Sequence, residues 1–180
     1  MSAVESLPAG RHKTCAERPS FAAVAAAHLD DVYRYLVYMT RDGNVAEDLT
    51  ADTFERALRN WHRFDARRAG ARTWLCQLAR STALDHFRAE ERRRRREDRY
   101  ARETTPADGE SALPGLSPAL ERALAELSAA EREVIVLRIV LELDGDAAAN
   151  VLGISRTACS TRLGRALQRL EQKVSADALA

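Results

Sequence analysis

The sequence predicts an all-α protein made of two small helical domains joined by a flexible linker. Alanine, leucine, arginine and glutamate dominate the 180 residues, and these residue types favour helices. The usual signs of β-strands, sustained apolar–polar alternation and Asn-Gly hairpin turns, are absent from the sequence. A stretch rich in Pro, Gly, Ser and Thr divides the helical segments into two groups, as a linker does.

The first 20 residues show no hydrophobic period and contain Pro8, Gly10 and Pro19. Residues 1–20 are therefore expected to form a disordered tail. Ser20 is suited to cap a first helix, which is predicted from Phe21 to about Thr40. Gly43 is suited to the C-cap that ends it.

The second predicted helix carries an acidic face. It opens at Asn44, with Glu47 three residues on completing a capping-box-like pair, and runs to about residue 60. Asp48, Asp52 and Glu55 recur at i, i+4 and i+7, so they share an outer face. Such a row is usually a solvated acidic face, and its functional interpretation is a docking surface for a basic partner.

A short loop, residues 61–71, holds two aromatic residues and three arginines. Aromatic rings can stack on unpaired bases, and arginines can hold phosphates. The alternative is that Trp61 and Phe64 plug the top of a helical core. Both interpretations remain open from the sequence.

One long helix is predicted over residues 72–96, because no Gly or Pro interrupts this run. Apolar residues cluster on one face, polar residues on the other, and five arginines end the run. The inner face carries Leu75, Cys76, Leu78, Ala79, Ala83 and Phe87. This is the profile of an element that lies against a polyanion, and a solvated amphipathic helix with a charged tail is the alternative.

The linker is predicted over residues 98–117, and it is expected to separate two modules rather than to pack into one. Four helices are predicted after it, beginning near Pro118, Ser128, Gly145 and Arg156. A short helix, a Gly-containing turn and a helix with a polar N-terminus make the last two a helix-turn-helix. In that geometry the polar N-terminal turns of the last helix reach base edges in the major groove.

The net charge of +1 conceals an uneven distribution along the chain. Residues 21–58 hold three Arg and seven Asp/Glu, a net charge of −4. Residues 59–102 hold fourteen Arg and six Asp/Glu, a net charge of +8. An acidic patch beside a basic patch predicts two different partners, and only one of them need be nucleic acid.

Several function classes are disfavoured. Cys15, Cys76 and Cys159 lack the spacing of a zinc site, so no metal or cofactor is expected. The four histidines and the acidic residues show no catalytic grouping, so an enzyme is not expected. No apolar run suggests a signal peptide or a membrane span, so a reduced cytoplasmic protein without membrane insertion is predicted.

Two runs of the sequence resemble domains of one known family. Residues 46–94 resemble the second domain of extracytoplasmic-function (ECF) bacterial sigma factors, and residues 123–170 resemble their fourth domain. The resemblance implies that residues 21–97 form domain two and residues 118–175 form domain four. It also implies binding to core RNA polymerase, recognition and opening of promoter DNA, and control by an anti-sigma factor.

The resemblance assigns roles to individual positions. The motif that binds the polymerase clamp would comprise Asp48, Leu49, Asp52 and Phe54. The surface for the −10 element and strand opening would comprise Trp61, Arg63, Arg67, Arg72, Thr73, Trp74, Gln77, Arg80, Ser81 and Arg88. The surface for the −35 element would comprise Arg156, Thr157, Ser160, Thr161, Arg162 and Arg165.

The sequence departs from the family pattern in the turn motif. Residues 147–149 are three alanines where Glu-Ile-Ala is usual, Cys159 replaces Val, and Ser81 replaces Asn. The alanines bear on the strength of −35 reading. A free-standing helix-turn-helix regulator is the alternative function, but it leaves the acidic helix and the aromatic loop unexplained. An anti-sigma factor would not explain two nucleic-acid surfaces.

Overall fold

The computed structural model describes residues 19–100 and 117–177, which form seven α-helices and contain no β-strand. Most of the predicted tail and of the predicted linker lies outside these residues. Residues 98–100, predicted to open the linker, continue a helix instead. None of the helices in the described ranges combines the length and the apolar character that a membrane span requires.

The first two helices are α1, Phe21–Thr40, and α2, Gly43–Asn60. The Ser20 cap is confirmed, because its hydroxyl accepts a hydrogen bond from the Ala23 N–H at 3.2 Å. The predicted start of α2 is wrong. The Asp42 carboxylate, not Asn44, caps this helix by accepting from two backbone N–H groups at 2.9 and 3.1 Å. The left-handed position expected at Gly43 is instead taken by Arg41, at φ 59°.

The third helix, α3, spans Ala71–Tyr100 and confirms the long helix predicted over residues 72–96. A short 3-10 turn, Trp61–Arg63, and a loop connect it to α2. The three helices pack together around side chains with no exposed surface, among them Val32, Tyr35, Leu36, Leu75 and Cys76. Burial of such side chains is the main stabilising contribution to this bundle.

The second group contains α4, Pro118–Ala125, and α5, Ala129–Ile135, which continues as a π-helical segment, Val136–Val140. The capping box predicted between Ser128 and Glu131 is confirmed. The helix predicted to reach about residue 143 ends earlier. Its last turn widens, since the Leu141 N–H bonds to the Val136 carbonyl at 2.9 Å.

The predicted helix-turn-helix is formed by α6, Gly145–Leu152, and α7, Arg156–Asp177. Gly153 lies between them at φ 68°, in the left-handed region where glycine carries no steric penalty. Its N–H and that of Ile154 bond back to carbonyls of the last turn of α6. The turn therefore fixes the direction in which α7 leaves.

The two helical groups pack against each other. Helix α1 contacts α5 and the π-helical segment, α3 contacts α6, and buried residues of both groups form one contiguous apolar cluster. The prediction that the linker keeps the modules from packing is therefore wrong for this structure. The composition of a linker does not determine whether the modules on either side of it pack together. Packing depends on which faces those modules leave exposed.

Candidate functional site

The outer face of α2 presents carboxylates on a well-packed helix. Asp48 and Asp52 are exposed, and Phe54 is half-buried. Leu49 is only 5% exposed and belongs to the core, so it supports this face from inside and does not reach a partner directly. Glu55, which shares the face, is paired with Arg59 at 2.6 Å. The acidic face thus consists chiefly of Asp48 and Asp52.

An aromatic cluster closes the end of the first helical group. The rings of Trp61 and Phe64 stack with a centroid distance of 4.8 Å and an interplanar angle of 11°. Trp74 lies 5.2 Å from Phe64, and Phe21 meets Trp61 edge-on at 5.5 Å. Such ring pairs are stabilising beyond their buried area. Of the two interpretations of the loop aromatics, this geometry supports the plug, with Trp61 still half-exposed.

A basic groove lies beside the aromatic cluster. Its volume is about 320 Å³, and Phe64, Trp74 and Gln77 contribute to its lining with Arg63. Arg63 and Arg67 are exposed. Asn150 of α6, in the other helical group, also lines it. Its lining also holds a second arginine, Arg68, and one carboxylate, Asp65. The cationic, aromatic and amide groups suit a nucleotide, but the groove is bordered by the second module.

The start of α3 is fixed to α1 by a two-point ion pair. Arg72 donates from Nε and from its terminal nitrogen to the two oxygens of Asp31, at 2.7 and 2.8 Å. Burial alone would raise the pKa of Asp31, but the hydrogen bonds and charge of Arg72 hold that pKa below its ordinary value. Thr73 is buried. In this arrangement Arg72 and Thr73 hold helices together and are not offered to DNA.

The outer face of α3 is covered by the second module. Gln77 donates from Nε2 to the side-chain and backbone oxygens of Asn150, at 3.0 and 3.3 Å. Arg80 donates from Nε to Oε1 of Glu133 at 2.8 Å. Ser81 and Arg88 lie outside these contacts and are exposed. Two predicted −10 residues, Gln77 and Arg80, are therefore occupied within the molecule.

A buried tyrosine completes this contact. Tyr35 has no exposed surface, and its hydroxyl donates a hydrogen bond of 2.7 Å to Oε1 of Glu133. Burial, and then the negative charge of Glu133, raise the pKa of Tyr35 well above its ordinary value. The phenol therefore stays protonated as a donor. Sequence reasoning assigned no role to Glu133 or Asn150, because no local signal links them to α1 or α3.

The first turns of α7 offer polar side chains to the outside. Arg156, Thr157, Ser160 and Thr161 are exposed, as is Arg165, and Arg162 is half-buried. The opposite face is held in the core by Cys159 and Ala166, at 1% and 0% exposure. The polar N-terminal turns of α7 therefore face outward, as predicted for the last helix of the helix-turn-helix.

Among the residues that the structure describes, three ion pairs join this helix to its neighbours, and the one nearest its C-terminus is between Lys173 and Glu126. Arg156 contacts Asp146 of α6 at 3.0 Å, with both side chains largely exposed, and Arg169 contacts Glu131 at 2.7 Å. Exposed pairs of this kind contribute little to stability, so Arg156 can exchange Asp146 for another acceptor. A groove of about 830 Å³ runs between the start of α5 and α7, lined in part by Thr161 and Arg165.

The cysteines of the described ranges are core residues. Cys76 and Cys159 are buried free thiols, as predicted, and burial raises the pKa of Cys76 to about 12. Cys15 lies outside the described residues. Within residues 19–100 and 117–177, no cluster of three or more His, Cys, Asp or Glu side chains could hold a metal ion.

Family comparisons match both helical groups. The Sigma-70 region 2 family matches residues 24–93, and the Sigma-70 region 4 family matches residues 117–170. The ECF RNA polymerase sigma factor SigC of Mycobacterium tuberculosis is 36% identical over 150 residues, which cover 82% of this chain and 80% of SigC. BldN of Streptomyces coelicolor is 32% identical over 182 residues, covering 99% of this chain and 67% of BldN.

Solved structures share the fold. The sigma factor RpoE, in complex with the anti-sigma factor NepR from Bartonella quintana, superimposes with a TM-score of 0.73 at 23% identity, covering 87% of this chain and 98% of RpoE. CnrH, in complex with the cytosolic domain of CnrY, superimposes with a TM-score of 0.64 at 26% identity, covering 87% of this chain and 88% of CnrH.

Proposed function

Since the chain belongs to the ECF sigma factors of bacterial RNA polymerase, we propose that its two modules divide promoter recognition between them. As a sigma factor it binds core RNA polymerase and promoter DNA and directs transcription initiation. Residues 21–97 would serve as domain two and residues 118–175 as domain four. Sigma factors are non-catalytic DNA-recognition subunits, and this chain would act without chemistry of its own, in the cytoplasm with its polymerase.

The observation that supports this division of roles is that three different surfaces lie on three different helices. The surface of α2 is acidic, and those of α3 and α7 are polar or basic. Asp48 and Asp52 on α2 would dock on the polymerase, with Leu49 packed behind them and Phe54 at the edge. A carboxylate pair suits a basic protein surface and repels DNA phosphates. The acidic face therefore favours a protein partner.

The −35 element would be read by the start of α7. Arg156, Thr157, Ser160 and Thr161 are the exposed side chains of its first turns, with Arg162 and Arg165 placed for the phosphates alongside. In a helix-turn-helix these turns enter the major groove, where a bidentate Arg–guanine pair contributes about 1–3 kcal/mol of discrimination. The alanines at 147–149 are compatible with this geometry, because Ala148 and Ala149 are buried in the motif.

The −10 element would be opened and held by α3 and the loop before it. Flipping a base out of the duplex costs a few kcal/mol. Arg63 and Arg67 would offset that cost through phosphate contacts, and the groove lined by Phe64 and Trp74 would receive the unstacked base. Gln77, Arg80, Ser81 and Arg88 would contact the element along the outer face of α3. Arg72 and Thr73 would act indirectly, by fixing the start of that helix.

Promoter reading would require the two modules to separate. Gln77 and Arg80 are occupied by Asn150 and Glu133, so DNA cannot contact them while α5 and α6 cover α3. We propose that polymerase binding favours the separated arrangement, because it holds the two modules at distant DNA elements. The segment between Tyr100 and Ser117 is long enough to permit that separation, because about 16 residues can reach roughly 55 Å at most.

Control by an anti-sigma factor is part of the proposal. RpoE and CnrH, which share the fold, were solved in complex with NepR and with the cytosolic domain of CnrY. A partner of this kind would act on the present chain by holding the modules together or by covering the acidic face of α2. Either action would lower the concentration of the chain that is available to polymerase.

The decisive experiment is run-off transcription with purified core polymerase and a library of random promoter templates. The chain should stimulate core polymerase and select templates that share two boxes at a constant spacing. If the chain does not stimulate transcription by core polymerase, the proposed function is wrong. A free-standing helix-turn-helix regulator, the alternative function, would instead bind duplex DNA tightly without polymerase, which a binding assay with the chain alone detects.

A further inference from the structure

The C-terminal turns of α3 extend beyond the helix contacts as a charged rod. Every side chain from Arg88 to Glu97 is exposed. The segment contains six arginines and three glutamates, and Ala89 is its single apolar residue. The proposed function uses Arg88 alone and leaves the run of five arginines without a role.

The charges are segregated around the helix axis. At about 100° per residue, Arg88, Arg92, Arg95 and Arg96 fall within an arc of about 100° that contains no carboxylate of residues 88–97. Asp85, one turn earlier, falls on the same arc and pairs with Arg88 at 3.3 Å. Gln77 and Ser81 fall within the same arc further up the helix. The arginines therefore continue the proposed −10 reading face, on its C-terminal side.

The opposite side of the rod is nearly balanced in charge. Arg93 pairs with Glu97 at 3.1 Å and with Glu90 at 3.7 Å, and Arg95 reaches sideways to Glu91 at 2.7 Å. Such i, i+3 and i, i+4 pairs support an exposed helix. They help to keep the exposed segment helical, so the helix backbone holds the strip arginines on one side, and Arg95 would exchange Glu91 for a phosphate.

We propose that Arg88, Arg92, Arg95 and Arg96 form a strip that holds the phosphates of double-stranded promoter DNA between the −10 and −35 elements. The inference rests on the proposed function. In the chain, α3 passes from Gln77 through the strip to the segment that leads to the proposed −35 module, so the strip follows the −10 reader on the side from which the chain reaches that module. From Gln77 to Arg96 the helix rises about 29 Å. That length corresponds to roughly 8 base pairs at 3.4 Å each.

Two features favour DNA over an acidic protein as the partner. The strip is continuous with a face already proposed to contact DNA, so a duplex lying on Gln77 and Ser81 would pass directly over it. The segment also lacks the aromatic and aliphatic side chains that form the cores of protein interfaces. Arginines without base-reading neighbours would contribute affinity that is independent of sequence and strongly dependent on salt.

The test compares two double variants with the same change in net charge. R92Q/R95Q removes two arginines from the strip, and R93Q/R94Q removes two from the opposite side. Holoenzyme is assembled from each variant with core polymerase, and its dissociation constant for promoter DNA is measured over a range of salt concentrations. One template has paired DNA immediately upstream of the −10 element, and the other has a single strand there.

On the paired template, R92Q/R95Q should weaken binding. The slope of log K against log salt should become less negative by about 2, since each phosphate contact contributes about −0.9. R93Q/R94Q should keep the wild-type slope, and both variants should match wild type on the single-stranded template. Equal salt slopes for the two variants, or a wild-type slope in both, would contradict the proposed phosphate contacts of the strip. So would a loss that appears instead in binding to core polymerase, which would assign the strip to an acidic protein surface.

The wild-type protein separates this inference from the proposed function. If it fails to stimulate core polymerase, the proposed function fails. If it stimulates core polymerase and R92Q/R95Q keeps the wild-type salt slope, the strip alone is wrong. Urea denaturation of both variants checks that each one folds.

Discussion

The hydroxyl of Tyr35 on α1 donates a hydrogen bond of 2.7 Å to the carboxylate of Glu133 on α5, across 98 positions of the chain. Both side chains are buried, and the same carboxylate oxygen accepts from Arg80 of α3. A buried carboxylate is costly unless it is paired. One glutamate of the second module thus depends on two helices of the first. These bonds make the packed arrangement of the two modules, here called the closed form, specific.

The pairing of Tyr35 with Glu133 predicts a coupled effect on stability. Y35F should lower the free energy of unfolding by about 1 kcal/mol, and E133A should lower it by about 2 kcal/mol, because a bond to a charged acceptor is lost in each. The double variant should lose less than the sum, with a coupling of about 1 kcal/mol in urea denaturation. Additive losses would mean that the two side chains do not act together.

The contact between Gln77 and Asn150 predicts a gain of DNA binding on its removal. N150A removes the side-chain oxygen that accepts a hydrogen bond from Gln77. That bond stabilises the closed form by about 1 kcal/mol, so its loss favours the separated form. It leaves every proposed −10 residue in place. The isolated chain should therefore bind a single-stranded −10 oligonucleotide up to about fivefold more tightly, as measured by fluorescence anisotropy.

The matched control is N44A, which truncates an exposed asparagine on α2, outside the module contact. It should leave oligonucleotide binding unchanged. If N150A and N44A bind the oligonucleotide equally, Asn150 does not restrict access to α3.

The acidic face of α2 predicts a specific loss of polymerase binding. D48N/D52N removes two negative charges with little change in side-chain shape, and it should weaken association with core polymerase roughly tenfold. The control, D30N/E171Q, removes two exposed charges elsewhere and should have little effect. Comparable losses in both variants, measured by surface plasmon resonance at one salt concentration, would assign the effect to net charge.

Arg156 should determine the use of the −35 element. R156A should reduce transcription from templates that have this element by an amount equivalent to about 1–3 kcal/mol. Templates without the element should be affected little, which serves as the internal control. K173A, a change near the far end of α7, should leave selectivity intact. Unchanged selectivity of R156A in run-off transcription would remove Arg156 from the reading surface.

The ion pair between Arg72 and Asp31 predicts a pH-dependent contribution to stability. The pKa of Asp31 is lower in the folded state than its ordinary value of 3.8. The unfolded chain therefore binds the proton more readily, and the stabilisation is fully present above pH 3.8. It is lost as the pH falls through the lower folded-state pKa.

Urea denaturation of wild type and D31N from neutral to acidic pH measures this contribution. Wild type should be more stable than D31N at neutral pH, and the difference should shrink in the acidic range below pH 4. A difference that stays constant down to the lowest pH would show that the charge of Asp31 is not responsible.

The helices and their outward faces follow from short-range signals. Capping residues such as Ser20 and Ser128 mark helix starts, and hydrophobic periodicity alone separates exposed Asp48 and Arg156 from buried Cys76. The start of α2 was mispredicted because Asp42 and Asn44 are both good caps. The choice between them is made by the left-handed turn at Arg41, which no residue preference predicts.

The contact between the modules had no comparable signal. Glu133 lies in an ordinary helical pattern, and Tyr35 is suited to any apolar core. Their proximity depends on how the two modules pack against each other. Helical periodicity shows which side of a helix is buried, but it does not show which helix covers that side. The same limit applies to Leu49 and Thr73, whose motif positions were predictable but whose burial depends on neighbouring helices.

The covered face of α3 also has a consequence for competition among sigma factors. A polymerase that binds only separated modules has an apparent dissociation constant equal to the intrinsic constant divided by the separated fraction. Each 1.4 kcal/mol that favours the closed form therefore raises the concentration required for half-occupancy of polymerase about tenfold. If polymerase binds only the separated form, the buried hydrogen bond between Tyr35 and Glu133 would raise the concentration that this chain needs in order to displace other sigma factors.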